Sequence, residues 1–219
     1  MRIFDCIMVS SESELPLLEA RFREFENLDV VHVICEAAAA TGGEPKPLHF
    51  AESKLWQDWH GRWNHVRVEA RELPLNAPPR ERKNALRERM VDGVAAEPDD
   101  IVLHGGIDEI PSEKTLRALL GGEAHLPVGM EMRWCAYTAQ LVHPRPWRGT
   151  VAQEWRLTGS FAGMRERRLT LPAIVDAGTR LSMWGEEVPE DRMHPDGHCL
   201  WEAEIDETWP KWVHMKFPC

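Results

Sequence analysis

Three things are missing from this chain of 219 residues, and each absence removes a class of function. There is no Cys-x-x-Cys pair: Cys6, Cys35, Cys135, Cys199 and Cys219 are odd in number and widely spaced. That pattern argues against a disulfide framework or a cysteine zinc site, and for free thiols in a reducing compartment. There is no excess of base. Lys and Arg number 26 against 36 Asp and Glu, a net charge of −10, whereas a generic nucleic-acid binder needs clustered cations to neutralise phosphates. No apolar run approaches the length of a membrane span, and Met1 leads directly into Ile3-Phe4-Asp5-Cys6-Ile7-Met8-Val9 without the features of a secretory leader. The expectation is a soluble, cytoplasmic protein whose length suits one sizeable core.

What is present is organised around residues 99–113. Ile101-Val102-Leu103 is a short apolar run entered from Pro98-Asp99-Asp100 and left through Gly105-Gly106, the pattern of a fully buried strand. Two adjacent carboxylates, Asp108 and Glu109, follow at the carboxyl end, where open α/β sheets place their ligands. Pro111 ends the strand, and Ser112 with Glu113 reads as a helix start. Upstream, residues 3–9 predict a first strand and 15–25 a helix, with Leu15, Leu18, Phe22 and Phe25 on one face. Residues 30–35 predict a second strand, so a right-handed parallel crossover is expected. Glu36 ends that strand and is placed to hydrogen-bond a ribose or base edge. Leu55, Trp56, Trp59 and Trp63 fall at helical spacing, which suggests core packing. Residues 80–90 predict a basic helix beside the carboxylate strand, able to present cations to a pyrophosphate.

Taken together, the order of parts resembles the glycosyltransferase family of the bisecting N-acetylglucosaminyltransferases. The residues that carry the resemblance are Phe4-Asp5-Cys6, then Glu14-Leu15-Pro16-Leu17-Leu18-Glu19-Ala20-Arg21, then Glu36 followed by Thr41-Gly42-Gly43 and Lys46-Pro47-Leu48-His49-Phe50. Arg82-Lys83-Asn84-Ala85-Leu86 stands for the family's helix before its metal strand, and Gly106-Ile107-Asp108-Glu109-Ile110-Pro111 for its Asp-x-Asp-Glu-Ile-Pro signature. Fainter matches are Trp147-Arg148-Gly149-Thr150 and Ala177-Gly178-Thr179-Arg180-Leu181-Ser182.

The resemblance implies a GT-A-like, Rossmann-related α/β fold: a mostly parallel central sheet flanked by helices in a single domain over residues 1–219. Residues 1–125 would form the nucleotide-sugar half and 126–219 the acceptor side, with a β-rich section over 126–182 and the cleft near Glu36 and Asp108. It implies an inverting enzyme that moves a sugar from a nucleotide-sugar donor, a UDP-sugar first, to a glycan, protein or bacterial or phage polysaccharide. Two alternatives stay open. One is a hydroxymethylated DNA base as acceptor, served by Arg145, Arg148, Arg165, Arg167 and Arg168; the other is a non-catalytic binding relative.

Inverting transfer needs a carboxylate base for the acceptor hydroxyl and cations or amides around the leaving diphosphate. For the base, the candidates are Asp176 and Glu154. For the donor they are Glu36, Lys83, Asn84, Gly105, Gly106 and Asp108, with Arg180 in support. The resemblance also implies a divalent cation, Mn²⁺ or Mg²⁺, on Asp108; His194 and His198, in His194-Pro195-Asp196-Gly197-His198, are candidate replacement ligands. Two departures weaken that expectation: the first acid of the signature is Gly106, and a Trp-His of the later motif is Thr179-Arg180. A permanent guanidinium can take over part of a metal's work on a diphosphate.

Overall fold

In the computed structural model, residues 1–40, 43–74, 76–138, 140–183, 195 and 201–202 are described. The apolar run at the start forms β1 (Ile3–Val9), and the amphipathic stretch after it forms α1 (Leu15–Glu24), with Pro16 in its first turn where a missing N–H costs nothing. β2 (Val30–Ala37) returns parallel to β1, Ile3 opposite Val30 and Val9 opposite Glu36. α2 (Lys54–Asp58) is short, and β3 (Trp63–Val68) lies parallel to β2. The helical spacing of the tryptophans therefore stops early: α2 ends before Trp59, the chain turns at Gly61 with φ +86°, and Trp63 opens a strand. Packing is nonetheless their role, with the Trp56 and Trp63 rings 3.8 Å apart beside Phe50.

The basic helix is α3 (Pro79–Glu88), followed by β4 (Ile101–His104), parallel to β1 on the side away from β2. The strand does not simply end at the carboxylates. After Gly105–Asp108 the chain enters a second short strand, β5 (Glu109–Pro111), and then α4 (Glu113–Leu120), whose first turn is capped by the Ser112 hydroxyl. The second half is β-rich, as expected: β6 (Val128–Ala136), β7 (Leu141–Val142), β8 (Trp147–Glu154), then α5 (Phe161–Arg167), β9 (Ala173–Ile174), β10 (Gly178–Ser182) and β11 (Trp201–Glu202).

The main strand order is β11-β7-β6-β8-β4-β1-β2-β3. It is parallel from β4 to β3, but β8 runs antiparallel to both β4 and β6, so the sheet is parallel in one half and largely antiparallel in the other. β10 lies off this path, parallel to β6 and antiparallel to β5. Alternation along β1 sends Ile3 and Ile7 to a core with α1, α2 and α4, and Phe4 and Cys6 to a core with Leu86 of α3 and Phe161 and Met164 of α5. The sheet is thus sandwiched between helices, one α/β domain. Cys6, Cys35 and Cys135 are buried free thiols, and burial pushes the last two up to about 12. Among the described residues no helix is long and apolar enough to cross a membrane.

Candidate functional site

The site begins with a fully buried arginine. Arg21 of α1 donates to both carboxylate oxygens of Asp5, which also meets His32 Nδ1 at 2.9 Å. Burial opposes the charge on Asp5, but the Arg21 guanidinium and His32 hold its carboxyl far below the usual range. The remaining Arg21 nitrogen donates to the carbonyls of Gly106 and Glu109. Asp5 and Arg21, nearly unreadable singly in the sequence, together fasten the loop that carries the carboxylates.

The two carboxylates of that loop then part company. Glu109 is 1% exposed and turned inward. Its oxygens accept from both terminal nitrogens of Arg165 on α5, from Trp147 Nε1 at 2.9 Å, from Thr150 Oγ1 at 3.2 Å and from the Gly106 amide at 3.0 Å. Burial raises its pKa, but the Arg165 pairing and these hydrogen bonds win and bring it to about 2. A Cβ on Gly149 or Gly105 would collide with this carboxylate, which is why the wall around it is glycine.

Asp108 faces the other way, its side chain 27% exposed, with Oδ2 3.0 Å from Arg180 Nε. Burial and the neighbouring Glu109 charge push its pKa up despite the guanidinium. The β5–β10 register puts Arg180 opposite Glu109. Its guanidinium lies 3.7 Å above the Trp147 ring centre and 4.7 Å from that of Trp134. Trp134 is itself fixed by its Nε1 bond to Ser182 Oγ at 2.7 Å and stacks on His143 at 4.0 Å. Trp134 and His143 also line a cavity of about 160 Å³, together with Glu131, Arg133, Pro146 and Asp176. Asp176 is exposed and adopts φ +52° just before β10.

On the α3–α5 side the site is cationic. Glu88 of α3 accepts from the Ser160 hydroxyl and the Phe161 and Ala162 amides, binding α3 to the start of α5. This brings Arg87 beside Arg165 and Arg168; desolvation and the charges of those two neighbours lower the pKa of Arg87. His104 sits beneath the cluster. Its Nδ1 donates to the Cys6 carbonyl at 3.1 Å, its buried Nε2 has no partner, and burial with the nearby cations brings its pKa to about 4.

Of the residues singled out in the sequence, Gly105, Gly106, Asp108 and Arg180 come together, and Asp176 shares a cavity lining with Trp134. Asn84 lies on α3 with its Oδ1 accepting from Arg87, and Lys83 is exposed on the same helix. Glu36 is fully buried, its oxygens accepting from the Phe50 and Ala51 amides and meeting His65 Nε2 at 3.1 Å, so both oxygens are engaged in holding the 48–51 turn. The structure does not bring Glu154 to this end. It pairs with Ile101 at the opposite end of β4 and accepts from Arg156. His194 and His198 lie outside the described residues. Of the five arginines expected to form a basic face, three are engaged: Arg165 with Glu109, Arg148 with Glu131 at 3.2 Å, and Arg167 with Gln153.

A divalent cation fits these residues poorly. Such an ion takes anionic oxygens, yet Glu109 has given its oxygens to donors and the Asp108 carboxylate already faces a guanidinium. Among the described residues no three His, Cys, Asp or Glu side chains converge on one point.

A helix-flanked sheet with an ion-paired carboxylate and guanidinium just past the end of β4 defines an α/β domain with a polar site at its strand ends. More narrowly, residues 1–190 match the family model of glycosyltransferase family 17, and the chain belongs to that family: it is a glycosyltransferase. Among solved structures it is similar to a protein of Desulfovibrio desulfuricans G20 assigned as a nucleotide-diphospho-sugar transferase, at 12% identity and a TM-score of 0.35, over 84% of this chain and 82% of that one. No curated protein matches it. Sequence pointed to Asp108 and Arg180, gave no site role to Arg21, Trp134 or Trp147, and assigned Arg165 to an acceptor face rather than to Glu109. For Trp147 the Trp-x-Gly-Thr element was the available signal.

Proposed function

We propose that the chain transfers a sugar from a UDP-sugar to the hydroxyl of a glycan, protein or polysaccharide acceptor, with inversion at the anomeric carbon. Family membership supports sugar transfer, and one observation carries the rest. Trp134 borders both a charged site, Asp108 with Arg180, and a cavity whose lining includes an exposed carboxylate, Asp176. Inversion needs leaving-group stabilisers and a base on opposite sides of the anomeric carbon, and a sugar placed beside Trp134 would have cations and a carboxylate within its surroundings.

In this reading the acceptor lies in the cavity, against the aromatic surface of Trp134 and His143. The acceptor oxygen attacks the anomeric carbon while Asp176 takes its proton. The bond to the diphosphate breaks, and the nucleoside diphosphate leaves carrying the electron pair. Guanidinium groups at the strand ends stabilise that charge. Of the two base candidates, the strand register favours Asp176, because Glu154 lies at the far end of β8.

The test is nucleotide release from a panel of sugar nucleotides, with and without mixed glycan acceptors, for the native chain and for Asp176→Asn. Transfer by the variant should fall by about 10²–10⁴-fold, with donor affinity held within about threefold. An Asp176→Asn enzyme that transfers at the native rate would remove the base assignment. Absence of nucleotide release from every donor and acceptor would remove the proposed transfer reaction.

A further inference from the structure

Resting on that reading, we propose that the donor's diphosphate is held by Arg87 and Arg168, across the junction of α3 and α5, and that this pair replaces a divalent cation. The first observation is charge that is not compensated. Three guanidinium groups crowd one buried carboxylate, and Glu109 is fully committed to Arg165 through both of its oxygens. Arg87 and Arg168 make only neutral contacts, Arg87 to Asn84 Oδ1 at 2.7 Å and Arg168 to the Arg165 carbonyl at 3.0 Å. Among the described residues neither has a carboxylate partner.

The second observation is unused hydrogen-bonding capacity. The Nε atoms of Arg87 and Arg168 are both buried without an acceptor, and so is His104 Nε2 below them. Like charges crowded and partly desolvated are costly unless an anion joins them. Both guanidinium pKa values are lowered, by desolvation first and then by the neighbouring Arg165 charge. A planar guanidinium pair suits a phosphate group, which it can bind in bidentate fashion. Arg87 of the pair acts on His104, where β4 ends and the Gly105-Gly106 turn begins, the place for a phosphate in an open α/β sheet. The arrangement for a metal is absent on the same side, because Asp108 is neutralised by Arg180 and Gly106 brings no second acid.

The experiment is calorimetric titration of the full chain with UDP and with inorganic pyrophosphate, each in EDTA and in Mn²⁺. It is run on the native protein, Arg87→Met and Arg168→Met, because methionine preserves the apolar stem. UDP should bind in EDTA within about threefold of its affinity in Mn²⁺, and each variant should bind both ligands at least tenfold more weakly. Melting temperatures should be unchanged or higher in the variants, since each relieves a like-charge contact, so lost binding cannot be ascribed to unfolding. Binding that vanishes in EDTA and returns with Mn²⁺ would overturn the proposal, as would variants that bind like the native chain. Pyrophosphate bound in EDTA with no sugar nucleotide ever turned over would leave the arginine site standing and remove the transferase mechanism instead.

Discussion

Glu109 is a structural carboxylate inside a functional motif. Arg165 shields it from above, Trp147 and Thr150 from the side, and the Gly106 amide from its own loop. Removing one partner of such a buried pair leaves the other charge unpaired, at a cost of about 3–5 kcal/mol. Glu109→Ala should therefore lower the urea midpoint by that equivalent, and an unchanged midpoint would show the pair to be dispensable. The same residues set the response to acid. Glu109 titrates near 2 against an ordinary 4.5, so its stabilisation of roughly 3 kcal/mol is complete above 4.5 and is lost as pH falls toward 2. His104 acts earlier. It stays neutral to about 4 while an unfolded histidine protonates near 6.5, so the unfolded chain takes up more protons between those values. Stability contributed by the neutral ring is present above 6.5 and falls by roughly 3 kcal/mol as pH drops to 4. His104→Asn keeps a donor for the Cys6 carbonyl and cannot titrate. Its urea midpoint should decline less steeply from pH 7 to 5 than the native midpoint, the remaining slope coming from His32, whose pKa burial also lowers; parallel curves would rule His104 out as a cause.

At the scale of elements, the joint between α3 and α5 decides where the cations stand. Glu88 occupies the N-terminal turn of α5, accepting two amides and the Ser160 hydroxyl. Loss of an N-terminal cap costs about 1 kcal/mol, so Glu88→Ala should destabilise the fold by that order. It should also weaken UDP binding, because Arg168 follows the last turn of α5. Native affinity with reduced stability would separate the cap from the cation site. This joint also marks how far the sequence could be read. β1, α1, β2 and β4 were legible because their apolar runs and helical spacing are local, and Asp108 followed from the strand that precedes it. The partners of Glu109 were not, because Trp147 and Arg165 stand 38 and 56 residues downstream and arrive through the β8 register and the placement of α5. Glu154 went astray for the same reason: residue type names a carboxylate, but only the antiparallel pairing of β8 with β4 tells which end of the sheet it occupies. Glu36 sat where the strand pattern put it, yet turn amides and His65 took its oxygens.

Across the whole molecule, a net charge of −10 coexists with a cationic junction at the strand ends. These act over different distances. At about 0.15 M salt the screening length is near 8 Å, so a diphosphate seated between Arg87 and Arg168 responds to those guanidiniums more than to the acidic surface beyond. A duplex needs a continuous face of cations to displace its counterions, and here Arg148 and Arg165 are paired while Arg167 donates to Gln153. Fluorescence anisotropy with labelled duplexes, plain and hydroxymethylated, should therefore show no saturable binding up to micromolar protein at 0.15 M salt, under conditions where UDP is bound. Saturable micromolar binding that favours the hydroxymethylated duplex would return the modified base to first place as acceptor. The expected result leaves the hydroxyl of a glycan, protein or polysaccharide as the proposed acceptor, in the cavity that Asp176 helps to line.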